Sequence, residues 1–129
     1  MAGSKSPTNG DSTISQTFTI PTWLNRLSFY YYMSCSFDTV RYDWVTATLV
    51  DNTSGKSSSL SKQCVTSTSW TKVTGTVITG HTYTLKLVNH DDDVSSDPSY
   101  TLFDSVSLYY SIRSTLRSSL HIDKDNSVL

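Results

Sequence analysis

The sequence predicts an all-β protein that folds as a two-sheet antiparallel β-sandwich, or jelly roll. Short runs between residues 14 and 110 alternate apolar and polar side chains with the period of two that is typical of half-buried strands. One third of the residues are Ser or Thr and only 16% are charged, a composition that favours strands over helices. Turn signals separate the runs, and none of them carries a helical period, so the pattern is that of a sandwich.

The expected strands follow one another at short intervals. Pro21 breaks the first run, the turn at residues 51–55 ends the third, and Gly80 separates the fifth run from the sixth. The acidic segment 89–99 is expected to be a loop. In chain order, the expected strands span residues 14–20, 26–34, 42–50, 58–61, 70–78, 82–89 and 101–110.

The length of 129 residues fits one domain with a single core. We expect a polar leader over residues 1–12, the sandwich module over 13–110 and a linker or tag-like tail over 111–129. The leader lacks the apolar stretch of a signal peptide, and no run of about 18 apolar residues could span a bilayer. A net charge of −1 provides no basic patch, so we expect neither nucleic acid nor a membrane as partner, and a monomeric module of a larger protein.

Two cysteines, Cys35 and Cys64, lack the close spacing of a zinc pair, and two ligands would not complete a zinc site. They predict a disulfide, the alternative being two buried free thiols. A bridge over this loop would add roughly 3 kcal/mol to stability through the unfolded state. Disulfides persist in oxidising compartments, so the pair indicates a secreted, extracellular protein.

Several runs resemble galactose-binding-like jelly-roll modules appended to exported bacterial hydrolases and peptidases, a class that includes carbohydrate-binding modules. These runs are residues 15–21, 27–31, 38–44, 70–74, 80–85 and 102–108, and the resemblance covers roughly residues 10 to 110. It implies a structural calcium held by an Asp of the closing strand and by groups near the first strand. Asp104 matches that Asp, Asp11 lies where the early ligand would be, and Ser105 stands where the closing motif usually has a second Asp.

Strand alternation by itself places Asp104 on the same face as Leu102, Val106 and Leu108, which is the expected core face. An ionised carboxylate on a core face needs a partner. Ca2+ with oxygen ligands from Asp104 and Asp11 would supply one. The alternatives are a β-bulge that turns Asp104 outward and hydrogen bonds from loop amides.

The acidic loop, with Asp91, Asp92, Asp93 and Asp97, does not have the spacing of an EF-hand. It is either a solvated loop between two strands or the rim of a ligand site. In the second case Asp92 would accept hydrogen bonds from sugar hydroxyls.

Aromatic side chains are the strongest indication of binding. Tyr30, Tyr32, Tyr42 and Trp44 fall on faces opposite the aliphatic residues of their strands. If those strands pair in one sheet, the four rings form an outward patch on which sugar rings could stack. The alternatives are that the rings pack under loops and that the strands are covered on both faces.

These observations predict a non-catalytic carbohydrate-binding module that targets an attached extracellular enzyme to polysaccharide, with a structural calcium. The alternative is a structural or protein-binding domain of an exported peptidase or surface protein. Catalysis has little support because the chain lacks a Gly-x-Ser-x-Gly elbow, a His-Glu-x-x-His helix and any Glu. Asp38 and Asp43 could pair as a glycosidase would require, but surface charge explains them more simply.

Overall fold

Two β-sheets face each other in the computed structural model, which describes residues 1–35, 38–112 and 126–129. One sheet has the order β1-β8-β3-β6-β9 and the other the order β2-β7-β4-β5. Neighbouring strands are antiparallel except β6 and β9, which are parallel. The strands are β1 (Ala2–Gly3), β2 (Asn9–Thr19), β3 (Arg26–Ser34), β4 (Trp44–Asp51), β5 (Ser57–Ser59), β6 (Thr71–Thr76), β7 (Thr82–Asp92), β8 (Tyr100–Tyr109) and β9 (Asn126–Val128). The predicted fold class, an all-β two-sheet sandwich, is confirmed.

The path of the chain between β1 and β8 crosses from one sheet to the other at every connection except the β4–β5 turn. As a result, β3 and β4 are consecutive in the sequence but lie in different sheets. The described residues contain no helix with the length and apolar character needed to cross a membrane.

The core lies between the sheets and contains the side chains that alternation placed on the inner faces. Phe29 and Met33 of β3 and Val45 of β4 are completely buried. Phe29 also meets Phe103 of β8 edge-on, with ring centroids 6.2 Å apart. The period-two pattern therefore identified the inner faces of β3 and β4 correctly.

The ends of the chain contribute more to the sandwich than the expected boundaries allow. Ala2 is buried in β1, which pairs with β8, and β2 begins at Asn9 rather than at residue 14. β2 is an edge strand, and most of its polar side chains face solvent. Its backbone hydrogen bonds with β7 therefore continue through residues that show no alternation of apolar and polar side chains. At the other end, Asn126–Val128 pairs with β6 and Leu129 packs against the core. The rest of the expected tail, 113–125, lies outside the described residues.

A β-bulge interrupts β8 at Ser105. Ser28 pairs with Ser107 and Tyr30 pairs with Asp104, so one extra residue lies on β8 between the two pairs. Ser105 adopts a φ of 53°, in the left-handed region. The bulge reverses the alternation, and Asp104 is exposed on the outer face. The expectation that Asp104 faces the core is wrong, and the bulge considered as its alternative is present.

The predicted disulfide between Cys35 and Cys64 is present, with Cα atoms 5.5 Å apart. It joins the residue after β3 to the segment between β5 and β6. Met33, two residues earlier on β3, is hydrogen-bonded through its N–H to the hydroxyl of Ser67, so the same segment is held at a second point.

Candidate functional site

The four aromatic residues expected in one patch lie on two sides of the sandwich. Tyr30 and Tyr32 are on the outer face of the five-stranded sheet, whereas Trp44 is on the outer face of the four-stranded sheet. Tyr42 lies in the turn before β4 and is about half exposed. A single patch requires β3 and β4 to be in one sheet, and they are not.

An aromatic face, defined here as Tyr30, Tyr32, Trp70 and Tyr109, does form on the five-stranded sheet. The rings of Tyr32 and Trp70 have centroids 5.9 Å apart at an interplanar angle of 58°. Lys72 lies between the other two rings, with its Nζ 5.9 Å from the centroid of Tyr30 and 5.6 Å from that of Tyr109. The face therefore combines aromatic rings with a cation in a cation–π arrangement.

On the outer face of the four-stranded sheet, the indole of Trp44 is covered by neighbouring side chains. Trp44 stacks on the imidazole of His90, with centroids 4.7 Å apart and planes 4° apart, and Nζ of Lys62 lies 3.7 Å from the indole centroid. Nδ1 of His90 lies 2.7 Å from Oδ1 of Asp11. Because two groups already lie over the indole, Trp44 offers less free ring surface than the aromatic face does.

The two expected calcium ligands, Asp11 and Asp104, do not come together. Asp11 pairs with His90 on the outer face of the four-stranded sheet. Asp104 pairs with Tyr30 on the outer face of the five-stranded sheet. The core separates the two outer faces, so one ion cannot bridge these carboxylates.

An acidic end, defined here as Asp38, Asp43, Asp91, Asp92 and Asp97, lies where the β3–β4 and β7–β8 connections meet. The expected acidic loop is shorter than predicted because β7 continues to Asp92. Asp91 follows the buried residues of β7 on the inner face and is itself completely buried. The inner face of the sandwich is therefore apolar along most of its length and carboxylate-rich at this end.

Three of these carboxylates come within reach of one ion. Asp38, Asp43 and Asp92 each offer an oxygen, and these oxygens lie within 4.8 Å of one another. Asp43 is completely buried, and its Oδ1 accepts a hydrogen bond from the N–H of Asp92 at 2.9 Å. Among the described residues, neither its buried Oδ2 nor the buried Oδ1 of Asp97 has a hydrogen-bond partner.

Burial raises the pKa of Asp43, and the charges of Asp91 and Asp38 raise it further. The hydrogen bond from the N–H of Asp92 acts in the opposite direction and lowers this pKa. Burial also raises the pKa of Asp97, and the charges of Asp38, Asp92 and Asp91 add to it. The carboxylates thus destabilise one another's ionised forms.

Sequence reasoning missed the part that Asp43 plays, although a signal for it was present. Asp43 is in phase with Val45 and Ala47, which face the core, so its carboxylate had to be buried and in need of a partner. Asp104 was expected to be buried for the same reason, but the bulge in β8 leaves its side chain on the outer face. Complete burial also means that Asp43 cannot reach a polysaccharide as an acid or base in this structure.

Comparisons with known proteins add no family to this geometry. No family model, no curated protein and no solved structure matches the chain. The resemblance to galactose-binding-like modules therefore remains an expectation from the sequence, and the residues of this chain carry the functional argument.

Proposed function

We propose that this chain is a non-catalytic carbohydrate-binding module of an exported protein, and that it binds saccharide on the aromatic face. The pairing of Tyr32 with Trp70 is the observation that carries the proposal, because Trp70 remains 44% exposed while its ring is held against a neighbour. The module would bring an attached extracellular enzyme to its polysaccharide. The disulfide supports export, since such bonds persist in oxidising compartments.

The chemistry of the aromatic face suits a sugar. Aromatic rings provide flat apolar surfaces for the C–H faces of pyranose rings, and the hydroxyl tips of Tyr30 and Tyr32 tolerate water. Lys72 lies next to two of these rings and can donate hydrogen bonds to hydroxyl groups. Asp104, exposed opposite Tyr30, can accept them.

A second candidate function is a structural or protein-binding domain of an exported peptidase or surface protein. It is favoured by a different surface at the end opposite the acidic end, where Trp23 is 80% and Ile112 79% exposed. Asn25 ties these segments together through hydrogen bonds to the backbone of Ser111 and Val77. Exposed apolar patches are common at protein-binding surfaces.

Affinity electrophoresis against a panel of soluble polysaccharides, run both with calcium and with chelator, tests the first function. We expect retardation by one glycan class, with at least about tenfold weaker binding for Trp70→Ala, since a lost stacking contact is worth on the order of 1 kcal/mol or more. Trp23→Ala is the matched control because it removes an exposed indole away from the aromatic face. If no glycan retards the protein, the proposal is wrong and the second function is favoured. If Trp23→Ala alone weakens binding, the aromatic face is not the binding surface and the proposal is wrong in that respect.

A further inference from the structure

The acidic end carries a concentration of negative charge that the protein does not neutralise. Five carboxylates meet there, and among the described residues no Lys, Arg or His forms an ion pair with any of them. Carboxylates packed this closely repel one another, and burial strengthens the repulsion. A folded arrangement of this kind calls for a compensating positive charge.

A buried oxygen of Asp43 indicates where a positive charge would bind. Asp43 is completely buried, one of its oxygens is hydrogen-bonded to the backbone of Asp92, and the other has no hydrogen-bond partner in the part of the chain that the structure describes. A buried carboxylate oxygen without a partner is rare because its desolvation is not repaid. This oxygen belongs to the group whose members lie within 4.8 Å of one another, with Asp38 and Asp92 supplying the other two.

We propose that Asp38, Asp43 and Asp92 bind a divalent cation, and that the cation is calcium. The group contains oxygen donors alone, without the His or Cys ligands that zinc prefers. Ca2+ accepts several oxygen ligands in irregular geometry from loops, whereas Mg2+ demands a near-octahedral set. Asp97, whose buried Oδ1 has no hydrogen-bond partner among the described residues, adds a further carboxylate to this end from the β7–β8 connection.

The site would join two connections that are distant in the sequence. Asp38 and Asp43 come from the β3–β4 connection, which begins at the disulfide-bonded Cys35, and Asp92 ends β7. The cation and the disulfide would therefore hold the same connection at separate points. The site shares no residue with the aromatic face, so calcium binding and glycan binding can succeed or fail independently.

Thermal unfolding of the full chain in 1 mM CaCl2 and in chelator tests the site, with titration calorimetry of CaCl2 as the second measurement. We expect calcium to raise the wild-type melting temperature by at least about 5 °C, because a ligand that binds only the folded state stabilises it when its concentration is far above Kd. Asp43→Asn keeps the size of the side chain and an acceptor for the Asp92 N–H. It should abolish the calcium shift and, in chelator, melt higher than wild type because a buried unpaired charge is gone.

Two matched controls separate this site from general charge effects. Asp93→Asn removes an exposed charge from the same connection and should retain the full calcium shift. Asp104→Asn should retain it too, because that carboxylate lies on the aromatic side of the sandwich. The proposal is overturned if wild type shows no calcium shift, if 1 mM MgCl2 gives an equal shift, or if Asp43→Asn responds to calcium as wild type does.

Discussion

Asp51 and His81 are joined by a hydrogen bond in which Nδ1 of the imidazole lies 2.8 Å from Oδ2 of the carboxylate. The bond links the end of β4 to the residue before β7. Oδ1 of the same, almost fully buried carboxylate accepts hydrogen bonds from the N–H groups of Thr53 at 3.0 Å and Ser54 at 3.1 Å. One side chain therefore organises the β4–β5 turn and fixes it to the start of β7.

Acid should weaken this arrangement. Burial alone would raise the pKa of Asp51, but the hydrogen bonds from His81, Ser54 and Thr53 outweigh it and hold the pKa well below its usual range. Because the folded pKa is lower than the unfolded value of about 3.9, the stabilisation is present above that value and is lost as pH falls through the folded pKa. We expect the stability advantage of wild type over Asp51→Asn to shrink below about pH 4.

Urea unfolding monitored by tryptophan fluorescence at a series of pH values between neutral and strongly acidic measures this advantage. Asp93→Asn serves as the control because its carboxylate is exposed. An advantage that is the same at pH 3 as at pH 7 would show that the ionised form of Asp51 is not what stabilises the turn.

The free energy of unfolding should depend on how well the residue at position 105, in the β8 bulge, accepts a left-handed backbone conformation. Ser105 has a φ of 53°, a conformation that costs a residue with a Cβ roughly 1–2 kcal/mol. Ser105→Gly should therefore increase the free energy of unfolding by up to about 1 kcal/mol. Ser105→Val should lower it by at least about that amount because a β-branched residue is poorly accommodated there. Equal destabilisation by both variants in urea unfolding would argue against a left-handed bulge.

Gly3 is expected to be essential for the attachment of β1 to β8. Its φ is 80°, and a Cβ would lie 2.6 Å from Nδ2 of Asn89 and 2.9 Å from the carbonyl oxygen of Ser99. Gly3→Ala therefore introduces both backbone strain and a clash with a side chain whose Nδ2 donates to that same carbonyl. We expect β1 to detach, with faster amide exchange at Ala2 and the start of β8.

Gly55→Ala is the control for this prediction, because Gly55 has a similar φ of 76° and the described residues place no atom within 4 Å of the added Cβ. Its cost should be the backbone strain alone, about 1 kcal/mol. If the two variants lose equal stability and neither accelerates exchange in β1, the contact with Asn89 does not anchor the strand.

The disulfide should contribute a large share of the total stability. Cys35 and Cys64 are 29 residues apart, and closing a loop of that length in the unfolded chain is worth about 3 kcal/mol in the chain-entropy model. The double variant Cys35→Ser/Cys64→Ser should lose about that much in urea unfolding. Wild type treated with reductant should lose a similar amount, and an unchanged midpoint in both cases would contradict the prediction.

Local pattern was a reliable guide wherever a strand alternated regularly. The inner faces of β3 and β4 follow from their sequences because successive side chains in a strand point to opposite sides. The same rule failed at Asp104 because the extra residue of the bulge lies between Asp104 and Leu108, so the two side chains no longer share a face. It also missed the first part of β2, whose polar residues pair with β7 without alternating.

The sequence by itself determined that the chain forms an all-β sandwich with a disulfide, and which side chains of the regular strands face the core. The tertiary structure decided which strands share a sheet, and so divided the expected aromatic patch and separated Asp11 from Asp104. It also brought Asp43 to Asp92, 49 residues away, through the pairing of β4 with β7. Alternation is a property of neighbouring residues, whereas strand partners depend on long-range contacts that no local period encodes.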